Sequence, residues 1–312
     1  MTGVIHINKN KFLGPFFCIL AAVVWGLSFV AQSEGASIGT FTFNGLRTLI
    51  GGIVLLPLVV LEHKKENKTL APAEKKKFPF KEVAIGGICC GLALFAGGNL
   101  QQHAFNYIDV GKVGFITALY MLIVPVLGLF LKQKAKLNVW IGVAFGVVGL
   151  YFLSIKKGDF SIGKGELITI ACSFAFAIHI LVIDYFCKRV NNIALSCTQF
   201  FVAGGLSVIC MFIFEEPKMD QIMSAWLPLL YAGVMSCGVA FTVQIFGQKY
   251  TPEPAVASIL LCTESVFAVL FGWLLLKQML SNRELLGCFI MFVAIIISQI
   301  PFDKLLKKQK QS

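Results

Sequence analysis

The stretch Leu100-Gln101-Gln102-His103-Ala104-Phe105-Asn106-Tyr107 returns later in the chain as Val243-Gln244-Ile245-Phe246-Gly247-Gln248-Lys249-Tyr250. Gln101 aligns with Gln244 and Tyr107 with Tyr250, both at an offset of 143 positions. Each copy closes an apolar run of helical length, and each tyrosine precedes a short link to the next run. Further on, Leu131-Lys132-Gln133 returns as Leu276-Lys277-Gln278, Gly142 as Gly287 and Ile155 as Ile300, all at an offset of 145. Gly51-Gly52 and Gly204-Gly205 mark the second run of each half. The matches are sparse, but they keep the same order in both halves, which is the mark of a duplicated chain.

The runs themselves set the medium. The chain has 312 residues, of which 57% are hydrophobic and 14% charged, with a mean hydropathy of +0.81. That composition cannot clothe a soluble domain of this size. Apolar runs of about 20 residues recur along the chain, the length a helix needs to cross roughly 30 Å of hydrocarbon. In lipid every backbone N–H and C=O must find an internal partner, so helices are expected. The runs lack the short alternation of an outer-membrane barrel. Ten spans are predicted, at about Phe12–Gln32, Phe41–Leu61, Val83–His103, Lys112–Leu131, Leu137–Ile155, Gly165–Phe186, Ala194–Phe214, Ala225–Gly247, Pro254–Leu276 and Glu284–Ile300. The apolar run after Lys9 and Lys11 continues to about Gln32, too long for a cleaved signal peptide, and reads as a retained first span.

The formal charge of +11 would suggest nucleic acid in a soluble protein. Here the basic residues follow the loops. With the N-terminus in the cytoplasm, 19 of the 27 Lys and Arg residues fall on the inner side and 7 on the outer, Arg47 being inside a span. By the positive-inside rule both termini are expected to be cytoplasmic, in a multi-pass protein of the cell (plasma or inner) membrane. The charge therefore reads as a topology signal and no nucleic-acid partner is expected. The lysine-rich segment Glu62–Glu82 can also meet anionic lipid head groups. The 10 cysteines include no C-x-x-C pair and none at metal-ligand spacing from a histidine, so they read as small packing residues, and no metal or cofactor is expected.

Five spans per half is an odd number, so equivalent helices cross the membrane in opposite directions. Inverted repeats suit a transporter, because two similar halves can exchange shapes and open a central site to one side and then the other. The fold expected is all-α, with ten transmembrane helices as two inverted five-helix repeats at 12–155 and 165–301 and a basic cytoplasmic tail at 302–312. The chain also resembles the EamA-type, ten-helix branch of the drug/metabolite transporter superfamily. The resemblance rests on Trp25-Gly26, Arg47, Gly114-Phe115-Ile116-Thr117-Ala118-Leu119-Tyr120 followed by Val124-Pro125, Thr263-Glu264-Ser265-Val266-Phe267-Ala268, and Gly272-Trp273-Leu274-Leu275-Leu276. That family usually has proline after the glutamate, where this chain has Ser265, which implies a less kinked ninth helix. It often has an acidic residue after the leucine run, where this chain has Lys277. The resemblance implies transport of a small polar metabolite, such as an amino acid, by an exporter or exchanger. It leaves the substrate open.

Polar side chains within spans are few and mark the candidate site. Arg47, in the second span, can grip a carboxylate through its fork or bond helix ends or Glu34. Glu264, in the middle of the ninth span, can carry a proton and couple transport to a gradient, or hold a constant hydrogen bond. His179 can line the cavity or relay protons, or rest on a backbone carbonyl. Asn99, Gln101 and Gln102 of the third span and Tyr120 of the fourth can fix a polar ligand or bond neighbouring helices. Trp25 is a cavity wall or a packing residue. Asp184 and Lys188 have i,i+4 spacing and read as a structural ion pair. Pro125 is expected to interrupt the fourth helix and Pro57 the second. The glycine faces of the fifth span (Gly142, Gly146, Gly149) and the third (Gly87, Gly91) suit close helix packing or a homodimer.

Two other classes compete. A membrane enzyme would need a catalytic set, and His6, His63, His103 and His179 form no H-E-x-x-H, nor does a serine–histidine set or aspartate pair stand out. A membrane sensor would carry a signalling domain, and the sequence shows none. The sequence also shows no P-loop, so a secondary transporter driven by a gradient is the expectation.

Overall fold

A computed structural model describes residues 10–68, 78–108, 110–133, 135–154, 163–276 and 281–300. The described residues are helical, with no strand among them. We number the helices α1 (Asn10–Glu34), α2 (Thr40–Lys68), α3 (Phe80–Ala104), α4 in two pieces (Val110–Ala118 and Tyr120–Phe130), α5 (Leu137–Ser154), α6 (Lys164–Phe186), α7 (Asn192–Phe214), α8 (Trp226–Tyr250), α9 in two pieces (Pro254–Leu261 and Glu264–Leu276) and α10 (Asn282–Gln299). Eight are long and apolar enough to cross a membrane, and α5 and α10 contain shorter apolar helices at Leu137–Phe152 and Leu285–Ser298. Lys9, Lys75, Lys76, Lys77, Lys134, Ile155, Lys156, Lys157, Lys277, Gln278 and the tail 302–312 lie outside the described residues, as do both chain ends.

The protein is all-α, two inverted five-helix repeats that interlock. The principal contacts run between halves and occur in equivalent sets. α2 packs on its counterpart α7, and α5 on its counterpart α10. α3 packs on α6 and α7, as α8 packs on α1 and α2. α4 packs on α6, as α9 packs on α1. Lipid supplies no hydrophobic drive between helices, so close approach over small residues does the work. Gly142 and Gly149 of α5 face Ser298, Ala294 and Met291 of α10, and Gly146 faces Met121. Gly87 and Gly91 of α3 meet Thr198 and Val202 of α7. Both glycine faces are thus buried inside the chain, and a second copy would have to dock elsewhere.

Side chains of one half also finish helices of the other. The Glu215 carboxylate, just after α7, accepts from the Phe41 and Thr42 backbone amides (2.9 and 2.8 Å) and from Thr42 Oγ1 (2.8 Å) at the start of α2. These are orphan donors of a helix N-terminus, which a carboxylate satisfies well.

The helix interruptions differ from expectation. α2 runs through Pro57 without a break and continues past Leu61 to Lys68. The break in α4 falls at Leu119, upstream of Pro125, which lies inside the second piece. There the Leu119 amide bonds Ile116 O at 3.2 Å, and the Ser173 hydroxyl of α6 donates to that same carbonyl. α9 is interrupted at Cys262–Thr263 although no proline follows Glu264. Cys262 Sγ donates to Ile259 O (2.9 Å) and Thr263 Oγ1 to Leu260 O (2.6 Å). Such back-bonding from i to i−3 competes with the ladder and bends the helix. α8 departs from α geometry too, being a π-helix over Ala232–Phe241. Its Gly233 meets Ile50 and the Arg47 carbonyl, and its Cys237 meets Gly51, so α8 lies close against α2. π-Helical turns are rare and often sit at functional sites.

Candidate functional site

Helices of both halves, the interrupted ones among them, surround a cavity. α1 contributes Trp25, Phe29 and Gln32, one face at helical spacing, and α2 contributes Arg47. α3 and α4 add Gln101, Thr117 and Tyr120. The second half supplies Phe176, His179 and Ile180 from α6, Ser236, Phe241 and Gln244 from α8, and Leu261 and Glu264 from α9. Both halves therefore build one chamber, its surface mostly apolar, with polar side chains from each half set into it. That is the usual make-up of a small-molecule site.

Tyr120 and Glu264 meet in this chamber. The phenol donates to Glu264 Oε1 at 3.3 Å, and both residues are buried. They are 144 positions apart, within the offset range of the repeat, and each is the first residue after the break in its helix. The break is what presents them. The Ser265 hydroxyl, next to Glu264, donates to Gly114 O (3.2 Å) and ties the second piece of α9 to the first piece of α4.

Arg47 is 3% exposed, a large desolvation for a guanidinium. Its Nε donates to Asn44 Oδ1 at 2.6 Å, one turn back on α2, and its Cζ lies 5.8 Å from the Phe43 ring centroid. None of the ion pairs among the described residues includes it, and Glu34 is exposed. The arrangement orients the fork through its Nε edge and leaves the guanidinium at the cavity without a protein carboxylate.

His179 Nε2 lies 2.9 Å from Gln199 Oε1 of α7, so its partner is a side chain rather than the backbone carbonyl expected. Its Nδ1 is buried without a partner. The Trp25 indole meets the Phe241 ring edge-on at 4.7 Å, and its Nε1 has no hydrogen-bond partner. Gln101 Nε2 donates to Thr117 Oγ1 at 3.4 Å. Asp184 and Lys188 form the ion pair expected, at 2.9 Å and away from the cavity.

Asn99 and Gln102 stand apart from the lining. Asn99 Nδ2 donates to Phe95 O (2.8 Å) and Ser207 Oγ (2.9 Å), joining α3 to α7. Gln102 Nε2 donates to Gln32 O (2.9 Å), joining α3 to α1. The structure thus brings Trp25, Arg47, Gln101, Tyr120, His179 and Glu264 to one chamber and leaves Asn99 outside it. Gln32, Thr117, Ser236, Gln244 and the phenylalanines of the lining were not anticipated. Gln244 had a signal, since it is the repeat partner of Gln101. Gln32 had one as well, lying on the Trp25 face of α1. Phe176 and Phe241 had none among 29 phenylalanines.

Comparison with known proteins agrees with this architecture. The model of the EamA-like transporter family matches residues 12–155 and again 163–299. An uncharacterized transporter of Archaeoglobus fulgidus is 29% identical over 280 residues, covering 89% of this chain and 83% of that protein. The uncharacterized transporter YoaV of Bacillus subtilis is 24% identical over 292 residues, covering 92% of this chain and 96% of that one. A chloroplastic WAT1-related protein of Arabidopsis thaliana is 24% identical over 314 residues, covering 96% of this chain and 72% of its own length. One protein crystal structure, 18% identical, superposes with a TM-score of 0.74 over 96% of this chain and 99% of that one. At that identity the likeness concerns the fold alone.

Proposed function

This chain belongs to the EamA-like transporter family and is a multi-pass membrane transporter, and from that premise we propose that it is a gradient-driven exporter or exchanger of a small polar metabolite such as an amino acid. The observation that carries the reading is the Tyr120–Glu264 hydrogen bond, made between the two halves inside one chamber. A pair that joins the two halves feels both of them. When the halves exchange shapes, the breaks at Leu119 and Cys262–Thr263 are where α4 and α9 can pivot, and the pair is carried with them.

The polar groups take separate roles in this reading. The Arg47 fork receives the carboxylate of the substrate in bidentate fashion. Gln101 and His179 orient it, Trp25 walls its apolar part, and Asn99 acts one helix away by holding α3 against α7. Glu264 exchanges its bond to Tyr120 for a proton or a substrate amine, which couples movement of substrate to a proton gradient. The excess of Lys and Arg on one side supports a cell-membrane protein with both termini in the cytoplasm.

The experiment is transport by purified protein in liposomes, with a metabolite panel and an imposed pH gradient. Substrate-dependent proton flux is the expected result. Folded protein that moves no member of the panel, with or without the gradient, overturns the reading.

A further inference from the structure

The chamber holds amides the fold does not use. Among the buried glutamines, Gln248 donates to Ile180 O (2.8 Å), Gln102 to Gln32 O (2.9 Å), Gln101 to Thr117 Oγ1 (3.4 Å), and Gln199 pairs with His179. Gln102 and Gln248 also leave an Oε1 without a partner, but both lie outside the chamber lining; Gln32 and Gln244 are set apart by their place. Both line the chamber, both are nine-tenths buried or more (4% and 2% exposed), and the side-chain Oε1 of each has no hydrogen-bond partner. A buried amide oxygen without a donor is unfavourable, and natural cores retain few such groups without a reason. Here the missing donors can arrive with a ligand.

The neighbours indicate which donors. Two unpartnered carbonyl oxygens and the Glu264 carboxyl attract a positive nitrogen rather than an anion, beside the aromatic rings of Trp25 and Phe241. Arg47 provides for the anion. An ammonium group has three N–H donors to offer such acceptors, whereas a hydroxyl has one. We infer that Gln32 and Gln244 are specificity residues that select the amine end of the substrate, so that the transporter takes amino acids and rejects the matching 2-hydroxy acids. This rests on the chamber being the transport site. It goes further in assigning the amine end to two residues, one of them the repeat partner of Gln101, which is itself bonded to Thr117.

The test uses purified full-length protein in liposomes and counterflow of a panel of amino acids, each with its 2-hydroxy acid and its decarboxylated amine. In the wild type the amino acid is expected to be favoured over the hydroxy acid by about 10-fold or more, the usual effect of an unmet bond to a charged group. Gln32→Leu and Gln244→Leu should each raise the KM of the amino acid and leave that of the hydroxy acid nearly unchanged, narrowing the gap. Gln244→Met serves if the leucine variant fails to fold, as judged by thermal unfolding. A hydroxy acid carried as well as its amino acid by the wild type, which needs no variant, overturns this inference and leaves the transport reading intact. So does an unchanged gap in the folded variants. Folded wild-type protein that carries nothing in the panel overturns both.

Discussion

Tyr120 and Glu264 share a hydrogen bond of 3.3 Å across the interface between halves, and the 144 positions between them fall between the repeat offsets of 143 and 145. The two residues hold corresponding places in the two halves, a phenol in one and a carboxyl in the other. Both open the second piece of a broken helix. Neighbouring equivalences are also asymmetric. Gln101 is bonded to Thr117, while Gln244 leaves its Oε1 without a partner. An inverted repeat with an asymmetric centre can change shape symmetrically and still bind an asymmetric ligand.

Glu264→Gln keeps an acceptor for Tyr120 and removes the titratable group. Gradient-driven accumulation should be lost while the protein folds as before and still exchanges substrate. The check is uptake into liposomes with and without a pH step. Undiminished proton-coupled accumulation in the variant would mean that Glu264 does not carry the proton.

Arg47→Lys removes both the fork and the Nε bond to Asn44. Affinity for carboxylate substrates should fall about tenfold or more, since charge-assisted bidentate bonds contribute roughly 1.5–3 kcal/mol. Neutral or cationic analogues should be much less affected. Equal affinity for every carboxylate tried would assign Arg47 to the framework.

Tyr120→Phe preserves shape and deletes the donor. Loss of one internal hydrogen bond should lower stability by about 1 kcal/mol. Transport should slow more than binding weakens, because the pair links the two halves. Comparing the turnover rate with KM in the same preparation separates the two effects, and a change in KM alone counts against a linking role.

Ser173→Ala removes the hydroxyl that takes the Ile116 carbonyl at the α4 break. That carbonyl can then accept from the Tyr120 amide and regularise the helix. Substrate turnover should drop while binding affinity and thermal stability change little. A variant with wild-type turnover shows that the break does not need Ser173.

Gly142→Val places side-chain atoms where an added Cβ would already lie 3.0 Å from Ser298 Cβ and 3.1 Å from Ala294 O. Overpacking of this kind should cost about 1–3 kcal/mol or more. The loss should appear in the monomer in detergent, since α10 of the same chain is the partner. Destabilisation confined to an oligomer would instead place this glycine face between copies.

The amino-acid sequence by itself determined the helices, the duplication and the inverted topology. Those follow from the medium, which forces each apolar run to satisfy its backbone locally, and from an odd number of runs per half. Local chemistry also marked Arg47 and Glu264, because a charge in a span is rare enough to be noticed. Only the tertiary structure decided which polar residues share a chamber. Asn99 and Gln244 look alike as amides in apolar helices, yet Asn99 is bonded to Ser207 on another helix while Gln244 faces the cavity. The breaks were equally hidden. Pro125 is the expected break, but α4 yields at Leu119, where a serine on α6 takes a carbonyl, and α9 is interrupted where Cys262 and Thr263 bond their own helix. In each case the deciding contact is one that a linear reading cannot rank. A hydrogen bond between residues far apart in the chain depends on how the helices lie together, and that is set by their packing as a whole rather than by any one segment.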